Sequence, residues 1–229
     1  MNIPAIFLIG IFFLIYSNPV GVGSKKIALT FDADLTPGML SRVENGQVKS
    51  YYNNKMADYI VKNKIPVTIF VTGLYAKTYQ DEIRKLATNP FIELENHSYN
   101  HFGFTSDCYG LDIAVDKKAE IEKANTVIKE VTGKTPTWFR YPGGCHSQTD
   151  DDLVTSLKMK IASWTLVSGD AFNSNYKKIA DHVLSSAKDG DIVVLHFGSV
   201  NAPGTEEALP LIVDGLKKKG FELVTLDQL

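Results

Sequence analysis

From residue 24 onward the chain alternates short β-branched apolar runs with longer stretches whose apolar residues recur at helical spacing. That alternation is the signature of parallel β/α units, because two parallel strands need a crossover between them, usually a helix. Strands are expected at 27–31, 67–71, 91–95, 138–141, 160–165, 192–196 and 222–225, and helices at 53–62, 80–87, 112–131, 148–159, 179–187 and 205–219. The clearest helix is 112–131, in which Ile113, Ile121, Ala124, Val127, Ile128 and Val131 recur with helical period and Gly133 supplies a stop. The last opens Thr205-Glu206-Glu207 after Pro203-Gly204, a hydroxyl cap followed by acids that suit the positive end of a helix dipole. Residues 35–50, with Pro37, Gly38 and Gly46, read as a long loop of the kind that is usually functional or disordered.

No repeat, low-complexity segment or Gly/Ser linker interrupts this pattern, so residues 24–229 read as one α/β domain. Open doubly wound sheets and closed barrels share the same grammar. The roughly 206 residues available fall short of the about 250 of an eight-unit barrel, and a seven-stranded barrel fits the count better.

Residues 1–23 have a different composition. Ile3 to Tyr16 is one apolar run without a charge, broken by Ser17-Asn18-Pro19. It is shorter than the about 20 residues that span a bilayer, and it fits the core of a signal peptide, with Gly21 and Gly23 offering a cleavage site before Ser24. The n-region, however, carries no Lys or Arg. A secreted or periplasmic domain is the expectation, with an uncleaved N-terminal anchor or a buried strand as alternatives. Export bears on Cys108 and Cys145, which are either two small buried hydrophobes or the single disulfide that an oxidising compartment permits. With 24 Lys+Arg against 26 Asp+Glu, and no basic block longer than Lys217-Lys218-Lys219, the chain lacks the concentrated positive charge that nucleic acid requires. A neutral or small partner is expected.

β/α folds place their sites at the carboxyl ends of the strands. There the sequence reads Thr30-Phe31-Asp32-Ala33-Asp34, then His97-Ser98-Tyr99-Asn100-His101, then Arg140-Tyr141-Pro142-Gly143-Gly144, then Ser168-Gly169-Asp170, and finally Leu195-His196. Each piece alone has an ordinary explanation: a buried histidine is more often a core residue than a ligand, and an Asp ending a strand often caps the next helix. Together they place acids, histidines and an arginine on one edge. Two histidines and a carboxylate make a three-ligand divalent site with a position open for water. Asp32 and Asp34 lie two apart and share a face if the strand persists, so one can hold metal while the other takes a proton. Arg140 would keep that base ionised, His196 would act as general acid, Asp170 would orient it and raise its pKa, and backbone N–H groups around Tyr141 would receive an oxyanion.

In this order the motifs resemble the polysaccharide deacetylase family, carbohydrate esterase family 4, from about Ile27 to the C-terminus. The resemblance implies a distorted seven-stranded β/α barrel, TIM-barrel-like, and metal-dependent removal of acetyl groups from N-acetylglucosamine polymers of peptidoglycan or chitin type, or O-acetyl groups from xylan. It implies Zn2+ or another divalent transition metal on His97 and His101, Asp32 as base, Arg140 as its partner, His196 as acid and Asp170 as the residue that tunes it. The family usually has two adjacent aspartates after the Thr-Phe pair, the second a metal ligand; here Ala33 fills that place. Asp34 is the expected substitute. Because of Ala33, a non-catalytic glycan-binding domain derived from such an enzyme is the competing reading, though it would need neither base nor acid. Tyr51 and Tyr52 are candidates for a sugar-stacking platform or for a plain helix start, His146 for the edge of the site, and His182 for the surface of a helix.

Overall fold

The structure, a computed structural model, describes residues 24–229; the expected export segment, residues 1–23, lies outside them. Among the described residues there are eight strands: β1 (Lys25–Ala33), β2 (Val67–Val71), β3 (Ile92–Asn96), β4 (Trp138–Phe139), β5 (Lys160–Ile161), β6 (Leu166–Val167), β7 (Asp191–His196) and β8 (Phe221–Val224). The helices are α1 (Pro37–Glu44), α2 (Asn54–Lys62), α3 (Gly73–Thr78), α4 (Gln80–Ala87), α5 (Lys117–Thr132), α6 (Gln148–Ser156), α7 (Tyr176–Ser186) and α8 (Thr205–Lys218). Seven strands, in the order β5-β4-β3-β2-β1-β7-β6, pair in parallel and curl into an incomplete barrel. The eighth shares an edge of β1. With β7 along Ile27–Asp32 on one side, the other side of β1 takes β8 along Lys25–Ala28 and β2 along Thr30–Ala33.

The alternation in β1 sets which side chains enter the barrel. Ile27, Leu29, Phe31 and Ala33 join the large core beneath the helices, with Ile69, Val193 and Leu195 from neighbouring strands. The intervening Thr30 and Asp32 are buried on the opposite, interior face. A slip of one residue would drive Phe31 inward and carry Asp32 out among apolar side chains, each worth about 1.5–3 kcal/mol when buried, so the register is strongly held.

Beyond shifts of up to three residues at element ends, the structure departs from the expected elements at four places. The run at 160–165 is not one strand. Lys160–Ile161 pairs with β4 and Leu166–Val167 pairs with β7, so residues 162–165 cross the open seam between the two ends of the sheet. The expected loop at 35–50 contains α1, started by Thr36, whose hydroxyl accepts from the Met39 N–H, with Pro37 in the first turn where its missing N–H costs nothing. Gly73–Thr78 forms a helix that the sequence reading left out. The long helix starts at Lys117, not at 112, because Asp116 caps it by accepting from the Ala119 N–H.

Candidate active site

Four strand ends deliver ionisable side chains to one cavity of about 210 Å3, and Arg140, after β4, stands behind Asp32. The pleat puts Asp32 and Asp34 on the same side at the end of β1, both buried. Asp32 Oδ1 accepts a hydrogen bond from Arg140 Nη1 at 2.9 Å. Arg140 follows β4, is fully buried, and has its guanidinium carbon 4.0 Å from the centre of the Phe70 ring and 5.7 Å from that of Trp164. Those aromatic faces offset part of its lost hydration. Burial raises the Asp32 pKa, but the Arg140 charge, then His97 and His196, outweigh it and hold the carboxyl below its ordinary value. Asp34 lacks such a partner, so burial pushes its pKa up and its Oδ1 is left without a hydrogen bond.

The segment after β3 supplies both histidines through a tightly curled loop. Ser98 and His101 take positive φ values of 66° and 61°, which a side-chain-bearing residue adopts only under constraint. The constraint comes from Asn96 and α5. Asn96 Oδ1 accepts the Ser98 N–H at 2.7 Å, while Glu120 accepts from the Tyr99 N–H at 3.1 Å, the Asn100 N–H at 2.8 Å and the Asn100 side-chain amide at 2.6 Å. His97 Nδ1 lies 2.9 Å from the Arg140 carbonyl. A carbonyl only accepts, so Nδ1 carries the proton and Nε2 keeps its lone pair.

The Nε2 atoms of His97 and His101 lie 3.4 and 3.5 Å from Asp34 Oδ1, and ligand atoms of all three residues fall within 4.8 Å of one another. Burial lowers both imidazole pKa values, that of His101 to about 4, so both rings are neutral near neutral pH. Two neutral nitrogens and an orphaned carboxylate oxygen suit a divalent transition metal such as zinc, with room for a further ligand.

On the far wall His196, at the end of β7, has Nδ1 2.8 Å from Asp170 Oδ1. The other Asp170 oxygen accepts from the His196 backbone N–H at 2.7 Å and from Thr205 Oγ1 at 2.6 Å, and Ser168 Oγ donates to Oδ1 at 3.0 Å. Burial opposes the charged ring, but the hydrogen bond and charge of Asp170, followed by Asp34 and Asp32, push the His196 pKa up to about 9.

Thus Asp32, Asp34, His97, His101, Arg140, Asp170 and His196 converge as the sequence suggested. Tyr141 follows Arg140 directly but is not among the residues that line the cavity. Its ring packs between Phe104 and Phe139 and stacks on His146 at 4.5 Å, and its hydroxyl donates to Asp151. The Tyr141 N–H makes no hydrogen bond to another described residue. Cys108 and Cys145 form a disulfide, with Cα atoms 5.9 Å apart. Tyr51 and Tyr52 are 2% and 6% exposed, Tyr52 within a cluster with Tyr75, Tyr79 and Phe197, so neither offers a platform to a sugar. His182 is exposed on α7. Sequence reasoning missed the supports: Asn96 and Glu120 under the histidine loop, and Thr205, which α8 uses to hold Asp170 while Gly204 occupies the cap position. Ser168, two residues before Asp170, fits a local side-chain turn and was the one legible signal.

The family model described as Polysaccharide deacetylase matches residues 20–162. Among curated relatives, the chain is 28% identical to the peptidoglycan-N-acetylmuramic acid deacetylase PdaC of Bacillus subtilis over 92% of its own length, spanning 40% of that protein. It is 29% identical to a peptidoglycan-N-acetylglucosamine deacetylase of Bacillus cereus, covering 90% of this chain and 88% of the relative. Among solved structures, that of peptidoglycan deacetylase PdaC from Bacillus subtilis superposes with a TM-score of 0.70 at 27% identity, covering 90% of this chain and 89% of the other.

Proposed function

Because the chain belongs to the polysaccharide deacetylase family, we propose that it is a secreted, metal-dependent hydrolase that removes N-acetyl groups from an N-acetylglucosamine-containing glycan of peptidoglycan or chitin type. The observation that carries this reading is the buried, unpartnered Oδ1 of Asp34 facing two histidine Nε2 atoms, between the Asp32–Arg140 and Asp170–His196 pairs. Asp34, His97 and His101 would hold zinc or another divalent transition ion, which when bound supplies Lewis acidity toward the acetyl carbonyl and the attacking water. Asp32, kept ionised by Arg140, uses the oxygen that Arg140 leaves free to take a proton from water as it adds to the acetyl carbon. The Tyr141 N–H donates to the oxygen of that carbon as it gains charge. His196, with Nδ1 engaged by Asp170, delivers a proton from Nε2 to the departing amine nitrogen. One water and one amide become acetate and a free amine.

The groups proposed as base and acid, Asp32 and His196, each keep a charged partner, Arg140 and Asp170, which a glycan-binding domain without catalysis would not need. Export through residues 1–23 is part of the proposal and accords with the disulfide; among the described residues no helix is long and apolar enough to cross a membrane. The test is acetate release from chitooligosaccharide, peptidoglycan and acetylxylan by chelator-treated and zinc-reloaded protein. Zinc-restored release from one of the first two supports the proposal. Release from acetylxylan alone makes the protein an O-acetyl esterase, and glycan binding without any release makes it a binding domain.

A further inference from the structure

With Tyr51 and Tyr52 buried, the fold exposes a different aromatic pair. Tyr109 is 76% exposed and Phe172 80% exposed, and their ring centres lie 6.4 Å apart with an interplanar angle of 39°. Both line the cavity that holds Asp32, Asp34 and His196, and Leu111, Trp164 and Val167 extend the same uncharged wall. Apolar surface gathered at one place and left open to water marks a binding site more often than chance.

Both residues sit on fastened backbone. The tip carrying Tyr109 has positive φ at Asp107, Tyr109 and Gly110, of 61°, 51° and 71°. It is fastened through Cys108 to Cys145, immediately after the Pro142-Gly143-Gly144 turn. Gly143 lies so close that a Cβ there would sit 2.7 Å from Cys108 Sγ, so the tip rests directly on the turn that follows Arg140 and Tyr141. Phe172 follows Asp170 by two residues, in a turn closed by its N–H donating to the Gly169 carbonyl at 3.1 Å. Locking Asp170 for His196 therefore also sets Phe172 at the rim.

A cavity of about 210 Å3 is smaller than the roughly 300–1,000 Å3 of a site that engulfs a drug-sized ligand, so any chain of sugars must continue outside it. We propose that Tyr109 and Phe172 form a saccharide-stacking platform that takes the unit next to the one being deacetylated, and that the Cys108–Cys145 disulfide positions Tyr109 for this. The ligand is a stretch of acetylated glycan at least two units long. Its pyranose rings present flat C–H faces to the aromatic rings and turn their hydroxyls to water. The inference rests on the deacetylase reading for its substrate class.

The test is direct binding, measured by calorimetry on full-length protein with two pairs of probes: the tetramer and monomer of N-acetylglucosamine, and a glycan-strand tetramer and disaccharide from peptidoglycan. Tyr109→Ala and Phe172→Ala should each weaken the bound tetramer by about tenfold, the scale of one aromatic contact, and the short probe by much less. Tyr109→Phe should restore affinity, and Cys108→Ser with Cys145→Ser should lose as much as Tyr109→Ala while circular dichroism shows a folded chain. Unchanged tetramer affinity in the alanine variants, or no wild-type preference for either tetramer, overturns the platform. Wild-type binding that falls in the variants, without acetate release from any substrate, keeps the platform and sinks the deacetylase reading; release with unaltered affinities does the reverse.

Discussion

At the scale of single residues, the shift of the second carboxylate from position 33 to 34 is the main departure from the family pattern. Position 33 faces the helices, where Ala33 fills the core, whereas Asp34 continues the inward row begun by Thr30 and Asp32. The proposed roles separate cleanly in an assay. Asp34→Ala should weaken zinc binding by more than the roughly 10–100-fold that loss of a supporting residue costs, while Asp32→Ala should keep its zinc and lose about 10²–10⁴ in kcat. Metal analysis beside kinetics checks this, and full zinc content in Asp34→Ala with loss in Asp32→Ala would mean that the two roles are exchanged. His196 gives a pH prediction. Its pKa is raised to about 9, so the charged acid form dominates below that pH and is lost above it. Asp170→Asn removes the main cause, so the alkaline limb of the kcat profile should move down toward the ordinary histidine value near 6.5. The same sign governs stability: the ion pair contributes fully below about 6.5 and fades as pH rises through about 9.

At the scale of elements, strand ends were legible because an apolar β-branched run that stops at a polar residue announces both the strand and the side chains beyond it. Helix borders were less so. Thr205 reads as a cap in any sequence, yet its hydroxyl turns to Asp170, 35 residues earlier in the chain. Glu120 reads as one more acid in the first turn of α5, yet it accepts three hydrogen bonds from the loop that carries the histidines. Glu120→Ala strands those half-buried donors and should cost about 1–2 kcal/mol in denaturant unfolding. It should also lower zinc affinity about 10–100-fold by freeing Ser98 and His101 from their strained conformation. Glu120→Gln, which keeps an acceptor oxygen, should recover part of both. Zinc affinity equal to wild type in the alanine variant would show that the loop holds its shape without α5.

At the scale of the whole molecule, the barrel is open between β5 and β6, and the chain itself crosses the gap through Ala162, Ser163, Trp164 and Thr165. Trp164 thereby stands beside Arg140, and Gly144, at φ 73°, lies against its ring with no space for a Cβ. The disulfide closes a second long loop, with 37 residues of sequence separation. Replacing both cysteines by serine should cost about 4 kcal/mol in the chain-entropy account, read as a lower unfolding midpoint in denaturant, and no loss would mean that the reduced loop stays ordered without its bridge. The sequence by itself determined the β/α alternation, the register that sends Asp32 and Asp34 inward, and the identity of the ionisable groups, because each follows from local period and residue chemistry. Only the tertiary structure decided that residues 160–167 split between two strands, that Tyr51 and Tyr52 are core while Tyr109 and Phe172 form the rim, and that Thr205 and Glu120 serve the site. Those facts depend on which distant segments meet, and a period of two or of 3.6 residues carries no information about partners that lie tens of residues away.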